Sequence, residues 1–286
     1  MTQDPETKEF MMIIRFANEG NLRSSLSNNF NNILWENKID LLRDALKNLR
    51  DLHKLGYFHK DFHSGNILQI NYYVSYISDF GLSGPANEQK SDDKVYGVMP
   101  YIAPEVLSGG DYTSSSDIYS FGVVMAELSS GQPPFHERKH DIDLALEMCN
   151  GLRPEFGKGT PEFYKKLAYK CMDANSNERP TADELYNIFD FWFYYHHDKD
   201  EKFGYKAKEV KAAFEEADKE IPNISTSYEK NSDAVYTSRA FTFSKLLPKS
   251  VNSSIITSYV NNEESNKGIF YFKILSFKKI FIFFDN

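Results

Sequence analysis

Cysteine is almost missing from this chain of 286 residues: only Cys149 and Cys171 occur. Two thiols with no histidine at metal-ligand spacing exclude a disulfide framework and a structural zinc site. Each lies in an apolar helical context, so both are expected to be reduced, buried and cytoplasmic. A basic excess is missing too. The net charge of −8 and pI near 5.5 argue against nucleic acid as the main partner. No stretch of 18 uncharged apolar residues occurs, so no membrane span is expected. The opening MTQDPETKEF shows no basic-then-apolar leader pattern, and internal repeats are absent. Apolar residues at 41% and aromatics at 15% suffice for a buried core and exclude wholesale disorder. The length allows one large domain or two small ones.

Along the chain, residues 1–9 are a polar lead-in, and Phe10 to Phe16 (FMMIIRF) reads as a strand buried on both faces. A short helix is expected from Leu22 to Phe30. From Trp35 to Leu55, Ile39, Leu42, Ala45, Leu46, Leu49 and Leu52 recur every three or four positions, which predicts an amphipathic helix ended by Gly56. Residues 82–100 are loop-like. Ser116 to Leu128 is apolar on nearly every side and predicts a central buried helix, with Asp117 as an anion at its N-terminus or a simple N-cap. Helical patterns follow at 142–148, 161–172 and 181–193. Residues 196–202 form a charged break, where HHDKDE reads as a solvated linker rather than a metal site. Residues 203–220 suggest a surface helix. Residues 221–265 hold few apolar groups and read as largely disordered. The aromatic end at 269–286 is either a membrane-surface helix or, the reading adopted, translated non-coding sequence or an altered gene end.

The chemistry concentrates between His59 and Gly81, HKDFHSGNILQINYYVSYISDFG. Asp61 in a loop can orient a hydroxyl nucleophile and accept its proton. Asn66 and Asp79 offer the short oxygen ligands that hard Mg²⁺ prefers. Between them, ILQI and YYVSYI read as two strands joined by a polar turn at Asn71, a hairpin with a ligand at each end. Gly81 is expected to free the backbone after Asp79. An ordinary hairpin with incidental Asp and Asn in its turns has the same local pattern.

His59-Lys60-Asp61 with Asn66, followed by Asp79-Phe80-Gly81, resembles the catalytic and metal-binding loops of a eukaryotic protein kinase. Ala103-Pro104-Glu105, Asp117 and Arg179 follow in the family's order, so the likeness covers about residues 10–195. It implies an α+β, kinase-like fold consisting mainly of the helical large lobe, with a remnant hinge strand. It implies phosphate transfer from ATP with Mg²⁺ to a protein hydroxyl, serine or threonine favoured. Asp61, His63 and Asn66 become catalytic, and Asn66 and Asp79 metal ligands. Ile14, Arg15, Ala17, Asn21, Leu68 and Ser78 fall on the nucleotide. His59, Phe80, Glu105, Asp117 and Arg179 become structural; the family pairs Glu105 with Arg179 and uses Asp117 to hold the catalytic-loop backbone. The Ser64-Gly65-Asn66 form suggests the tyrosine-kinase-like group, with fungal-type serine/threonine kinases as the example. The resemblance fixes no oligomeric state.

Departures from the family pattern shape further expectations. Lys60 stands where the family carries arginine, and would meet a phosphorylated loop residue as a point charge. His63 stands where serine/threonine kinases carry lysine, and Val98 where they place a threonine whose hydroxyl braces the catalytic Asp. No glycine-rich loop, third-strand lysine or partner glutamate is found, and the clustered glycines at 109–110 and 157–159 lie elsewhere. The chain is therefore expected to be an incomplete gene product, inactive alone. The alternatives are a catalytically silent interaction module, and a small-molecule kinase of the aminoglycoside or choline type, which shares the His-x-Asp loop but lacks the Ala-Pro-Glu segment and the late Arg.

Overall fold

The computed structural model describes residues 2–11, 16–71, 74–85, 94–194 and 201–261. Strands β1 (Thr2–Gln3) and β2 (Phe10–Met11) form a small antiparallel hairpin. Its turn is held by Asp4, which accepts from the N–H groups of Glu6 and Thr7 at 2.8 Å. The polar lead-in is thus half of a hairpin. The strand expected over 10–16 is not buried at either described end, with Phe10 75% and Phe16 78% exposed. An apolar run is buried only where sheet neighbours cover it, and among the described residues β2 pairs with β1 alone.

Helix α1 (Leu22–Asn29) is capped by Asn21, whose side chain accepts from Ser24 N–H. Helix α2 (Trp35–Lys54) buries the predicted stripe of Ile39, Leu42, Ala45, Leu46 and Leu49. Leu34 offers no capping side chain, so the Trp35 N–H donates instead to Asp218 at 2.8 Å, across the fold. The chain leaves α2 through Gly56 at φ 76°, a left-handed turn that favours glycine. Strands β3 (Ile67–Asn71) and β4 (Val74–Ile77) form the expected hairpin. Part of the segment thought to be loop forms strand β5 (Val95–Gly97), followed by the short helix α3 (Pro104–Leu107).

Helix α4 (Ser114–Ser130) is the central element, with Ile118, Tyr119, Phe121, Val123, Val124, Met125, Ala126 and Leu128 all buried. Thr113 caps it, its own N–H donating to Ser116 Oγ at 3.2 Å, so Asp117 is not the N-cap. Gly131 ends it at φ 72°, where a Cβ would stand 2.6 Å from the Phe30 ring; conformation and space both demand glycine. Helix α5 (Ile142–Cys149) packs on α3, α6 (Glu162–Cys171) on α4, and α7 (Ala182–Phe193) on α2. Both cysteines are free and buried, and burial pushes the Cys149 thiol up to about 11.

The chain beyond 200 differs most from expectation. Strands β6 (Glu201–Lys202) and β7 (Tyr205–Lys206) lead into helix α8 (Ala207–Glu220). This is more than a surface helix: Phe214 enters an aromatic cluster, stacked 5.5 Å from Trp35 and edge-on to Phe163 at 5.3 Å. Residues 221–261, read as disordered, are a strap folded on the lobe, with strand β8 (Arg239–Phe241) antiparallel to β5 and helix α9 (Ser254–Asn261) on α6. Its apolar residues are buried singly, Ala234, Phe241 and Ile256 each in a separate place, which leaves no periodicity to read. Its backbone bonds to the lobe instead: Asn231 N–H to the His136 carbonyl, Val251 N–H to the Cys149 carbonyl, both at 2.9 Å. Residues 196–200 of the charged break and the aromatic end lie outside the described residues, while the last two residues of the break, Glu201 and Lys202, form β6. No helix among the described residues is long and apolar enough to cross a membrane.

Candidate active site

The loop between α2 and β3 has two anchors. Asp117, buried in the first turn of α4, accepts the N–H groups of His59 at 2.8 Å and Lys60 at 3.0 Å, and a third bond from His53 Nε2 at 2.9 Å. Lys60 sits in the left-handed region at φ 67°, a conformation costing a non-glycine residue about 1–2 kcal/mol. The charge-assisted bonds to Asp117 offset that strain. The Lys60 ammonium donates to the Pro85 carbonyl at 3.1 Å; residues 86–93, which include the loop hydroxyl Ser91, lie outside the described residues.

The second anchor sits beneath Ser64. Its hydroxyl donates to buried Glu127 at 2.9 Å, Tyr101 donates to the same carboxylate at 2.7 Å, and Arg23 Nε stands 3.7 Å away. A buried carboxylate needs such a full set of partners. Sequence reasoning missed Glu127, Arg23 and Tyr101, because a lone glutamate in an apolar helix carries no signal of partners so distant in the chain.

Between these anchors stands Asp61, 7% exposed. Asn66 Nδ2 donates to its carbonyl at 3.0 Å. His63 Nδ1 accepts from Gly65 N–H at 3.0 Å, which leaves the proton of a neutral ring on Nε2, 3.8 Å from Asp61 Oδ2. Burial alone would raise the Asp61 carboxyl. The polar groups of His63 and Ser238, with the nearby His63 and His59 rings, more than offset it and hold the group below the ordinary carboxylate range. Asp61 is therefore an anion at neutral pH, the form a proton acceptor requires. Val98 is buried and has no hydroxyl to give; the hydroxyl that helps lower Asp61 belongs to Ser238 in the strap, another residue the sequence did not single out.

His59 joins this loop to the second ligand arm, its Nε2–H donating to the Ser78 carbonyl at 2.9 Å. Ser78 in turn donates to the Asn66 carbonyl through N–H at 2.8 Å and Oγ at 3.1 Å. Asp79 itself, not Gly81, takes the left-handed backbone, at φ 61°. Gly81 has an ordinary φ, and a Cβ there would press on Asp79 Oδ1 at 3.3 Å, a contact the exposed carboxylate relieves by a small shift. Asp79 is exposed, its one hydrogen bond among the described residues a long 3.4 Å from Gly81 N–H, and the Phe80 ring lies 5.4 Å from that of His59. Asn66 uses its amide nitrogen on Asp61, which leaves its oxygen as the ligand atom. Two hard oxygen donors, one from each end of the hairpin, suit Mg²⁺ completed by phosphates.

Of the residues expected on the nucleotide, Ile14 and Arg15 lie outside the described residues. Ala17 has its carbonyl in a turn, where it accepts from Gly20 N–H at 3.2 Å. Asn21 and Leu68 form a β-bridge between the hinge segment and β3, and the Asn21 side-chain oxygen is taken by the α1 cap. Ser78 serves the Asn66 backbone, as above. Farther out, Arg179 and Glu105 meet in a two-bond fork, Nη1 to Oε1 and Nη2 to Oε2, each 2.7 Å.

Comparison with known proteins matches residues 2–189 to the family model described as protein tyrosine and serine/threonine kinase. Among curated proteins, a receptor-like cytoplasmic serine/threonine-protein kinase of Nicotiana benthamiana is 33% identical over 203 residues, covering 63% of this chain and 44% of the relative. A probable serine/threonine-protein kinase of Dictyostelium discoideum is 29% identical over 177 residues, covering 62% and 11%. A probable LIM domain-containing serine/threonine-protein kinase of the same organism is 25% identical over 181 residues, covering 63% and 19%. The chain thus spans less than half the length of these relatives.

Proposed function

This chain belongs to the protein tyrosine and serine/threonine kinase family, whose members act on proteins with ATP and Mg²⁺, and from that premise we propose that its site serves transfer of the γ-phosphate to serine or threonine hydroxyls. The observation that carries the proposal is the anionic Asp61, fixed by Asn66 at its carbonyl and by Asp117 at the two preceding residues. Asp61 orients the acceptor hydroxyl and takes its proton as the oxygen attacks. His63, its Nδ1 turned to Gly65 N–H, presents Nε2 to the carboxylate from 3.8 Å. Asn66 and Asp79 would hold Mg²⁺, which neutralises charge on the transferring phosphate when bound. Phosphoryl transfer is mostly positioning and electrostatics, so this loop supplies the acceptor half of the machinery. The Ser64-Gly65-Asn66 sequence supports placement in the tyrosine-kinase-like group, and the two reduced, buried cysteines support a cytoplasmic setting.

The phosphate-clamping half has no counterpart in these residues, because they hold no glycine-rich loop. Losing one preorganised donor commonly costs about 10²–10³ in rate. This favours a second reading, in which the 286-residue polypeptide by itself is a silent module that binds partners. Transfer of labelled phosphate from ATP to a serine-bearing protein separates the two. The chain alone is expected to give none, and the chain joined behind a small lobe carrying a glycine-rich loop is expected to give transfer. No transfer from the joined protein, with the fold intact, contradicts the catalytic reading.

A further inference from the structure

The strap returns to Asp61. Asn231 donates its N–H to the His136 carbonyl at 2.9 Å, and the Asp233 carbonyl accepts from His140 N–H at 3.2 Å. The Tyr236 hydroxyl donates to the Pro134 carbonyl at 2.9 Å, and its own carbonyl accepts from Arg23 Nη1 at 3.1 Å. β8 then pairs antiparallel with β5, Arg239 opposite Gly97 and Phe241 opposite Val95. Gly97 borders the site: a Cβ there would stand 3.3 Å from Asp61 Oδ1. The register therefore brings Ser238, the residue before Arg239, beside the Asp61 carboxylate, where its hydroxyl helps hold that carboxyl down.

An acceptor peptide at this site needs a hydroxyl in hydrogen-bond reach of Asp61, and an extended backbone that a free strand edge can pair. The strap meets both needs, and among the described residues β5 has no other strand partner. We infer that residues 231–241 occupy the groove that takes the acceptor peptide, with Ser238 in the place of the accepting hydroxyl, so that the chain's own strap competes with an incoming protein substrate. The inference rests on Asp61 being the proton acceptor. It also specifies the peptide chemistry: a serine with an aromatic residue two positions before, a basic residue immediately after, and an aromatic three positions after. Each has a seat in the strap. Tyr236 lies under the Arg23 guanidinium, 4.9 Å from ring centre, Arg239 donates to the His140 carbonyl, and Phe241 is buried. A tethered segment acts at an effective concentration in the millimolar range, so a free peptide of equal affinity is largely shut out.

The test uses the full 286-residue chain and a fluorescent peptide of residues 231–243, NSDAVYTSRAFTF, read by anisotropy without nucleotide. Ser238→Glu sets a second carboxylate against Asp61, and Arg239→Ala removes the guanidinium anchor; neither residue is buried, so neither change disturbs the core. Either variant is expected to bind the peptide at least tenfold more tightly than the unmodified chain. Amide exchange at residues 95–97 should rise in both while α4 and α6 stay protected. The same peptide with Ser238→Glu should bind neither variant. Unchanged peptide affinity in both variants, or equal binding of the Glu peptide, overturns the inference, because the strap would then be structural and indifferent to Asp61. Binding involves no phosphate transfer, so its failure is distinct from failure of the catalytic reading.

Discussion

Removing either partner of the Glu105–Arg179 fork should cost more than a surface ion pair, and by unequal amounts. Arg179 is fully buried at its side chain and Glu105 is 24% exposed. Besides the fork, Arg179 donates to the Ser115 carbonyl at 2.9 Å and the Asp173 carbonyl at 2.8 Å. Arg179→Ala therefore breaks four bonds and leaves a cavity beside Tyr119, at the upper end of the about 3–5 kcal/mol expected for breaking a buried pair. Glu105→Ala leaves a buried cation with two carbonyl acceptors, and should cost about 2–4 kcal/mol by the same reasoning. Against a total stability of roughly 5–15 kcal/mol, either change is large. Urea melts of the four proteins in a double-mutant cycle give the coupling, expected at about 1–3 kcal/mol. Small effects, additive to within about 0.5 kcal/mol, would refute the reasoning that this fork ties the segment before α4 to the helical core.

In the chain extended by a small lobe, Asp79→Asn should raise the Mg²⁺ needed for half-maximal transfer and cut the rate about 10²-fold or more, while the melt barely moves, since the exposed Asp79 has one weak hydrogen bond. Near-normal rate at limiting Mg²⁺ would remove Asp79 from the metal. Lys38 offers a pH test. Burial between the Phe30 and Trp35 rings, opposed by the charge of Asp218, pushes its ammonium down to about 7, against about 10.4 unfolded. The folded state then holds fewer protons, so the penalty is complete below pH 7 and fades as pH rises toward 10. The melting temperature should rise between pH 6.5 and 9, and Lys38→Met should raise it at pH 6.5 and flatten the trend; a parallel profile in the variant would contradict this.

Much of the fold was legible because the helical repeat is local. The spacing of Ile39, Leu42, Leu46 and Leu49 predicts α2, and the all-round apolar surface of α4 marks it as central. The candidate site was legible where one loop carries it, as with Asp61, His63 and Asn66. Contacts supplied from far along the chain were not. Glu127 under Ser64 and Ser238 on Asp61 depend on folding that no local pattern encodes. The strap was misread because its stability comes from backbone bonds and isolated buried residues. Phe10 and Phe16, the described ends of an apolar run, misled in the opposite sense: both are exposed, since hydrophobicity without sheet neighbours does not produce burial.

The central claim is that the Asp61 carboxylate takes the acceptor proton. Single-turnover phosphate transfer, at saturating ATP and Mg²⁺ in the extended chain, compares Asp61→Asn with the unmodified protein. The amide keeps the shape of the side chain and removes the base, so the rate should fall about 10²–10⁴-fold with an unchanged melt. A variant that transfers phosphate within a few-fold of the normal rate would contradict the account.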